Sequence, residues 1–177
     1  MIETLISSKT RIKLLLKFFL NSKNTAYLRN LEEEFGESTN AIRLELNKFE
    51  KAGFLDSSSE GNKKIFSVNT RHPLFKDINR IIMKMTGLEY VVDYVLQRIG
   101  DLDKVYLVGN MSRGKDTNII DLVLVGDNIN KAFLIEQIEK AEKKIDKKIR
   151  YVHYGVKEFD LSKISEPGMH PLLIWSR

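Results

Sequence analysis

Residues 25–55, TAYLRNLEEEFGESTNAIRLELNKFEKAGFL, decide the fold of the first part of this chain. Leu28, Leu31 and Phe35 recur at the interval that lines one face of a helix, which predicts a helix over about 26–35 with Thr25 able to cap it. Gly36 stands where a left-handed residue ends such a helix. The next helix is predicted over 39–52. Ser38 caps it, Ile42, Leu46 and Phe49 form its inner face with Ala41, Glu45 and Ala52 beside them, and Gly53 ends it. Only Gly36 to Ser38 lie between the two helices.

Upstream, residues 8–22 (SKTRIKLLLKFFLNS) repeat Ile12, Leu15, Leu16 and Phe19 at helical spacing, with Ser8 as N-cap and Asn21 and Asn24 near the exit. Downstream, Phe54-Leu55, the polar stretch Asp56 to Lys64 and Ile65 to Val68 read as strand, turn and strand, with Glu60-Gly61-Asn62 at the tip. Two short helices joined by a tight glycine-containing turn are the helix-turn-helix arrangement, and the hairpin after them, with Lys63 and Lys64 behind its tip, reads as a basic wing. A three-helix bundle with a hairpin has the same periodicity. The outer face of 39–52 separates the two readings. Thr39, Asn40, Arg43 and Asn47 are short or hydrogen-bonding side chains suited to base edges and phosphates. Glu45 and Glu50 lie on the same helix, and spacing suggests that Arg29 pairs with Glu45.

The bulk numbers agree with a globular chain. Of 177 residues, 42% are hydrophobic and 30% charged. The net charge is +5, spread as 12 basic against 9 acidic residues over 1–72, so a polyanionic partner is favoured by placement more than by total. There is no cysteine, which excludes disulfides and thiolate metal sites. No apolar run has the length of a membrane span, and Met1-Ile2-Glu3 lacks the basic-then-apolar order of a signal peptide, so a cytoplasmic protein is expected.

Pro73 opens an amphipathic stretch over 73–86 with Leu74, Ile78, Ile81, Ile82 and Met85 apolar; Gly87 breaks it, and 88–98 makes another helix through Leu88, Val91, Val92, Val95 and Leu96. These helices read equally as connector or dimerisation elements and as ordinary packing. From residue 104 the period changes. Strands are predicted over 104–109, 119–125, 149–155 and 172–175, with a helix over 130–147 that places Ala132, Ile135, Ile138, Ala141 and Ile145 inside. His72, His153 and His170 have no partner at metal-binding spacing, and no Ser-His-Asp set can be assembled.

Two resemblances follow from these residues. The runs SKTRIKLLLKFF, YLRNLEEEFGESTNAIRLELNKFEKAGFL and GNKKIFSVNTRHPLF resemble the winged helix-turn-helix of ArsR-like regulators, closest to the subgroup fused to a nucleotidyltransferase-like domain, over about residues 7–86. That resemblance implies that Ser38, Thr39, Asn40 and Arg43 face DNA and that Lys63 and Lys64 sit on the wing. The segment VYLVGNMSRGKDTNIIDLVLVG resembles the nucleotidyltransferase signature, in which a strand ends in Gly-Ser, Ala-Arg-Gly follows and the next strand carries Asp-x-Asp. Here Gly109, Arg113 and Gly114 are kept, Asn110 and Ser112 replace the family's residues, Asp121 matches the second aspartate, and Ile119 stands where the first belongs. The strand IRYVHYG has no carboxylate. One carboxylate of three cannot hold two Mg²⁺ ions, so the resemblance implies an inactive domain with Gly109, Asn110, Ser112, Arg113 and Asp121 as a nucleotide-binding remnant.

The expectation is therefore an α+β chain: a winged helix-turn-helix over 1–72, connecting helices over 73–100, and a small nucleotidyltransferase-like α/β domain with a mixed sheet over 101–177. Its function would be transcriptional regulation as a homodimer on double-stranded DNA, read with Ser38, Thr39, Asn40, Arg43, Asn47, Lys63 and Lys64, with the degenerate second domain as sensor or dimerisation module. No catalytic or metal-binding residue and no resident cofactor is expected, and a weakly held Mg-nucleotide effector is left open. The alternatives are an active, antitoxin-like nucleotidyltransferase directed by its first domain, and a winged helix used only for protein contact.

Overall fold

The computed structural model describes residues 4, 6–96, 99–165, 167 and 169–177. The chain is α+β and forms two compact units, Met1–Ile82 and Met83–Arg177. Among the described residues no helix is long and apolar enough to cross a membrane.

In the first unit, α1 (Lys9–Leu15) starts at Ser8, whose Oγ accepts the Arg11 N–H at 3.2 Å, and continues into a π-wound turn, Leu16–Leu20. The inner face differs from the expected Ile12, Leu15, Leu16 and Phe19. Leu14, Leu16, Phe18, Phe19 and Leu20 are the buried ones, while Ile12 and Leu15 are half-buried. A helix enclosed on most sides needs apolar residues all round, and the π turn shifts the phase of those that follow. Its loosened carbonyls are met by asparagines: Asn24 Nδ2 donates to Lys17 O at 3.0 Å and Asn79 Nδ2 to Phe19 O at 2.6 Å. Polar side chains of α1 clamp the following segment. Thr10 donates to Glu37, Lys13 bonds Glu37 and the Phe35 carbonyl, and Lys17 is buried against Glu34 at 2.8 Å.

The structure starts the next helix later than the periodicity predicts. Thr25–Tyr27 is a strand, β1, not a capped helix entry, and α2 is Leu28–Phe35 with no side-chain cap. Ala26 is buried opposite Phe66 in the antiparallel pairing of β1 with β3, and that long-range pairing overrides the local pattern. Gly36 ends α2 at φ +63 as expected, and α3 (Thr39–Lys51) begins with Ser38 Oγ accepting the Ala41 N–H at 3.3 Å. Ile42, Leu46 and Phe49 are buried, with Glu45 beside them.

The polar stretch read as a turn is largely strand. β2 (Leu55–Glu60) pairs with β3 (Lys63–Val68) from Leu55↔Val68 to Glu60↔Lys63, leaving a two-residue tip, Gly61-Asn62. Asp56 to Glu60 are all exposed because both faces of the projecting hairpin meet solvent, so no alternation marked them. The sheet order is β1-β3-β2. Helices α1 to α3 and this three-stranded antiparallel sheet, with β2 and β3 as a hairpin, make up most of the first unit.

The unit does not end at residue 72. Helix α4 (Phe75–Thr86) begins in it: the Phe75 ring lies 6.0 Å from Phe19, Asn79 bonds the π turn, and Ile82 is fully buried.

In the second unit, Gly87 adopts φ +81 before α5 (Leu88–Tyr90), which runs on as a π-wound turn, Val91–Val95. The end of the helix expected over 88–98 lies outside the described residues. The helices expected as a separate connector belong to the units themselves. A Cβ on Gly87 would sit 2.9 Å from Ile145 Cβ, so only glycine allows that approach.

The sheet order is β6-β5-β4-β7, from β4 (Gly100–Val108), β5 (Ile119–Ile129), β6 (Lys148–Tyr154) and β7 (Leu172–Ser176). β5 and β6 are parallel and the other pairs antiparallel, giving the expected mixed sheet. A short helix, α6 (Gly109–Ser112), follows β4. α7 (Lys131–Ile145) is capped by Asn130 and stopped by Asp146 at φ +53, short of the expected 147. Leu134, Ile138 and Ala141 are its buried residues, whereas Ala132 and Ile135, expected inside, are exposed. Leu134 fits the same 3.6-residue period one position earlier, and the neighbours on the sheet choose that phase.

Candidate functional site

In the first unit, α3 turns two faces to different surroundings. Its buried face is fixed by Ile42, Leu46 and Phe49; its outer face carries Asn40, Arg43 and Asn47, all exposed, with Thr39 half-buried at the first turn. Ser38 is exposed, but its hydroxyl caps the helix. Asn40, Arg43 and Asn47 make no side-chain hydrogen bond or ion pair among the described residues. Leu44, 61% exposed on the same face, is an apolar side chain that the sequence reading passed over.

The arrangement corrects one expected pair. Glu45 bonds Arg11 (Nε to Oε2, 2.8 Å) and Lys48 (2.9 Å), not Arg29, which lies 3.6 Å from Glu33 on its own helix. The Arg11 hydrogen bond, opposed by burial and aided by Lys48, holds the Glu45 carboxyl below the usual glutamate range. Helix α1 thereby absorbs the acidic charge of α3 on its inner side and leaves Arg29 and Arg43 on the outer side.

Between α2, α3 and the wing runs a groove of about 560 Å³, bordered by Tyr27, Arg29, Thr39, Arg43, Asn47 and Lys63. Tyr27 and Arg29 were not among the predicted site residues. Tyr27 was hidden because β1 was read as helix, and Arg29 because it was assigned to Glu45. The Lys63 ammonium lies 4.5 Å from the centre of the Tyr27 ring. Lys64 reaches Glu50 at 2.7 Å and lies 5.0 Å from the Phe66 ring. The two wing lysines therefore differ, since Lys63 keeps its charge free of any carboxylate among the described residues while Lys64 is paired.

The second unit brings together all five residues of the expected remnant. β4 ends at Val108, directly opposite Asp121 on β5; Gly109, Asn110, Ser112 and Arg113 follow in and after α6. Gly109 adopts φ +70, and a Cβ there would lie 2.6 Å from Asp121 Oδ2. Its N–H points to Met169 Sδ at 3.3 Å. The Ser112 side chain is fully buried and donates to the Gly109 carbonyl at 2.9 Å, which braces the turn.

The residue that sequence reasoning missed is Arg150. It lies opposite Asp121 in the parallel register of β6 and β5, and its Nε donates to Asp121 Oδ1 at 2.6 Å. These groups border a cleft of about 600 Å³ whose walls include Val152, Ile164 and Met169. The histidines lie apart from one another. His72 Nδ1 accepts the Leu74 N–H at 3.1 Å in the turn before α4, His153 Nε2 lies 2.7 Å from the Gly126 carbonyl, and His170 is exposed.

No known protein-family profile matches the chain, and no curated protein matches it. Among solved structures it is similar to AF1382 from Archaeoglobus fulgidus, at 16% identity and a TM-score of 0.37, covering 51% of this chain and 96% of that one. A likeness of that size carries no functional assignment.

Proposed function

We propose that the chain is a DNA-binding transcriptional regulator that lays α3 in a major groove and rests its wing on the flanking backbone. The observation that carries this reading is the row Asn40, Arg43 and Asn47. These are hydrogen-bonding side chains, exposed and without side-chain partners among the described residues, on a capped helix whose other face is locked in the core. Arginine and asparagine are the side chains that match guanine and adenine edges in the major groove. Lys63, Arg29 and Tyr27 then supply phosphate contacts, which position the protein without reading sequence.

The reading includes a homodimer, since a two-fold protein matches a two-fold operator. Leu74, just before α4, and Ile81 on it support the dimer: they lie seven residues apart and are 50% and 49% exposed. In the same reading the second unit is a nucleotidyltransferase-like scaffold without transfer chemistry, and the protein works in the cytoplasm. Arg150 favours the loss of chemistry. Its guanidinium is bonded to Asp121, so positive charge sits beside the carboxylate that a metal ion would need.

Selection of bound duplexes from random DNA tests the proposal. The expected result is an enriched motif with two half-sites, and Arg43→Ala should cost about 1–3 kcal/mol at one base pair of each. Absence of any salt-dependent duplex binding would remove the regulator reading. Transfer of label from ATP to an acceptor, abolished by Asp121→Asn, would restore the enzymatic alternative.

A further inference from the structure

The cleft on the second unit does not have the make-up of a phosphate cradle. Along the shared face of β5 and β6, Asp121 and Arg150 sit at one end and Val123 and Val152 follow two residues on. Val123 is buried, while Val152 is 54% exposed at the centre of a strand, bordering the cleft with Ile164 and Met169. The Arg150 side chain is 64% exposed against 21% for Asp121, and only its Nε is engaged by the protein among the described residues. Its two terminal nitrogens form the side of the guanidinium fork that accepts a second carboxylate-like anion. Arg113 lines the same cleft, so a second guanidinium-bearing residue borders the site.

We infer that this cleft binds a small organic monoanion, with its carboxylate on Arg150 and its apolar body along Val152, Ile164 and Met169. A cleft of about 600 Å³ lies within the range of small-molecule sites. A nucleoside triphosphate fits it less well on two counts. The Gly109 N–H that would approach a phosphate is directed at Met169 Sδ, and Asp121 presents its charge to the same region with no second carboxylate lining the cleft among the described residues. The inference stands on the cleft alone and does not depend on DNA binding by the first unit.

In this geometry the Asp121 carboxylate repels a second anion on the same guanidinium, and that repulsion gives the test its sign. The full chain is titrated calorimetrically with naphthoate as the probe monoanion, beside uncharged naphthalenemethanol, inorganic phosphate, and ATP with Mg²⁺. The expected result is one naphthoate site per chain, at least about tenfold weaker binding of the uncharged analogue, and a similar loss in Arg150→Gln. Val152→Glu, at an exposed position, should abolish the site without lowering the melting temperature. Asp121→Asn should tighten naphthoate by several-fold, a gain that a misfolded variant cannot produce. No naphthoate heat, indifference to Arg150→Gln, or weaker binding in Asp121→Asn overturns the inference. So does ATP–Mg²⁺ binding that needs Asp121, which would mark a retained metal-nucleotide site.

Discussion

Glu50, near the end of α3, accepts hydrogen bonds from Lys64 Nζ on β3 (2.7 Å) and from Ser57 Oγ on β2 (2.5 Å), so a single carboxylate fastens both strands of the wing to the helix proposed to read DNA. Lys64, with Ser57 assisting, holds the Glu50 carboxyl below the ordinary glutamate range, and the tie is intact at neutral pH.

Glu50→Gln should therefore release Lys64. Non-specific duplex affinity is expected to rise, and the slope of log affinity against log salt to steepen by about one, read by fluorescence anisotropy across salt concentrations. In the parent protein Lys63→Ala should flatten that slope more than Lys64→Ala, because Lys63 has no carboxylate partner among the described residues. Equal effects of the two lysines would show that the Glu50 tie does not withhold Lys64 from phosphate.

The second prediction concerns Glu45. Its partner Arg11 is 39% exposed, so solvent screening limits the pair, and a double-mutant cycle should give a coupling of about 1 kcal/mol. The same cycle between Arg29 and Glu45 should give none. The pH dependence has a definite sign. A carboxyl whose folded pKa lies below its unfolded one stabilises the protein above the unfolded pKa and loses that contribution as pH falls through the folded one. Acid melting of the parent should therefore approach that of Glu45→Gln on the acid side of the usual glutamate range, with the two furthest apart near neutral pH.

Asn79 supplies a third test. Its amide is hydrogen-bonded to the Phe19 carbonyl of the π turn at 2.6 Å, and Phe19 itself is fully buried against Phe54 and Phe75. Asn79→Ala leaves that carbonyl unmet in a dry surrounding, and a loss of about 1–3 kcal/mol in chemical denaturation is expected. A change near zero would mean that water replaces the amide there.

Gly109→Ala should destabilise the second unit for two separable reasons. The φ of +70 strains any residue with a Cβ, and that Cβ would meet Asp121 Oδ2 at 2.6 Å. A loss of about 1–3 kcal/mol is expected in thermal melts. Gly109→Ala/Asp121→Ala should recover the part due to contact and retain the part due to backbone strain. Full recovery would show that the backbone term is negligible.

Features held by neighbours within a few residues were legible in the sequence. Ser8 and Ser38 cap their helices and Gly36 turns the chain, because each acts through its own backbone and the next three or four residues. The spacing of Asn40, Arg43 and Asn47 against Ile42, Leu46 and Phe49 was equally local, since helical periodicity alone sets which residues share a face. The four strands of the second unit were legible in the same way, as apolar runs alternating with a helix, while the mixed sheet was what the nucleotidyltransferase resemblance implied.

What lay beyond reach depends on partners distant in the chain. β1 exists because Ala26 meets Phe66 forty positions on, and the wing is a long hairpin because β3 pairs with residues that show no alternation. The phases of α1 and α7 were chosen by what encloses them. Glu45 could not reveal from spacing that it belongs to Arg11, nor Asp121 that it faces Arg150, since both pairs form only when separate elements are laid side by side. The sequence by itself determined which helix presents a polar face, because that is a matter of period; tertiary structure decided which charges on that face and in the cleft stay uncommitted, because charge pairing acts through space and not along the chain.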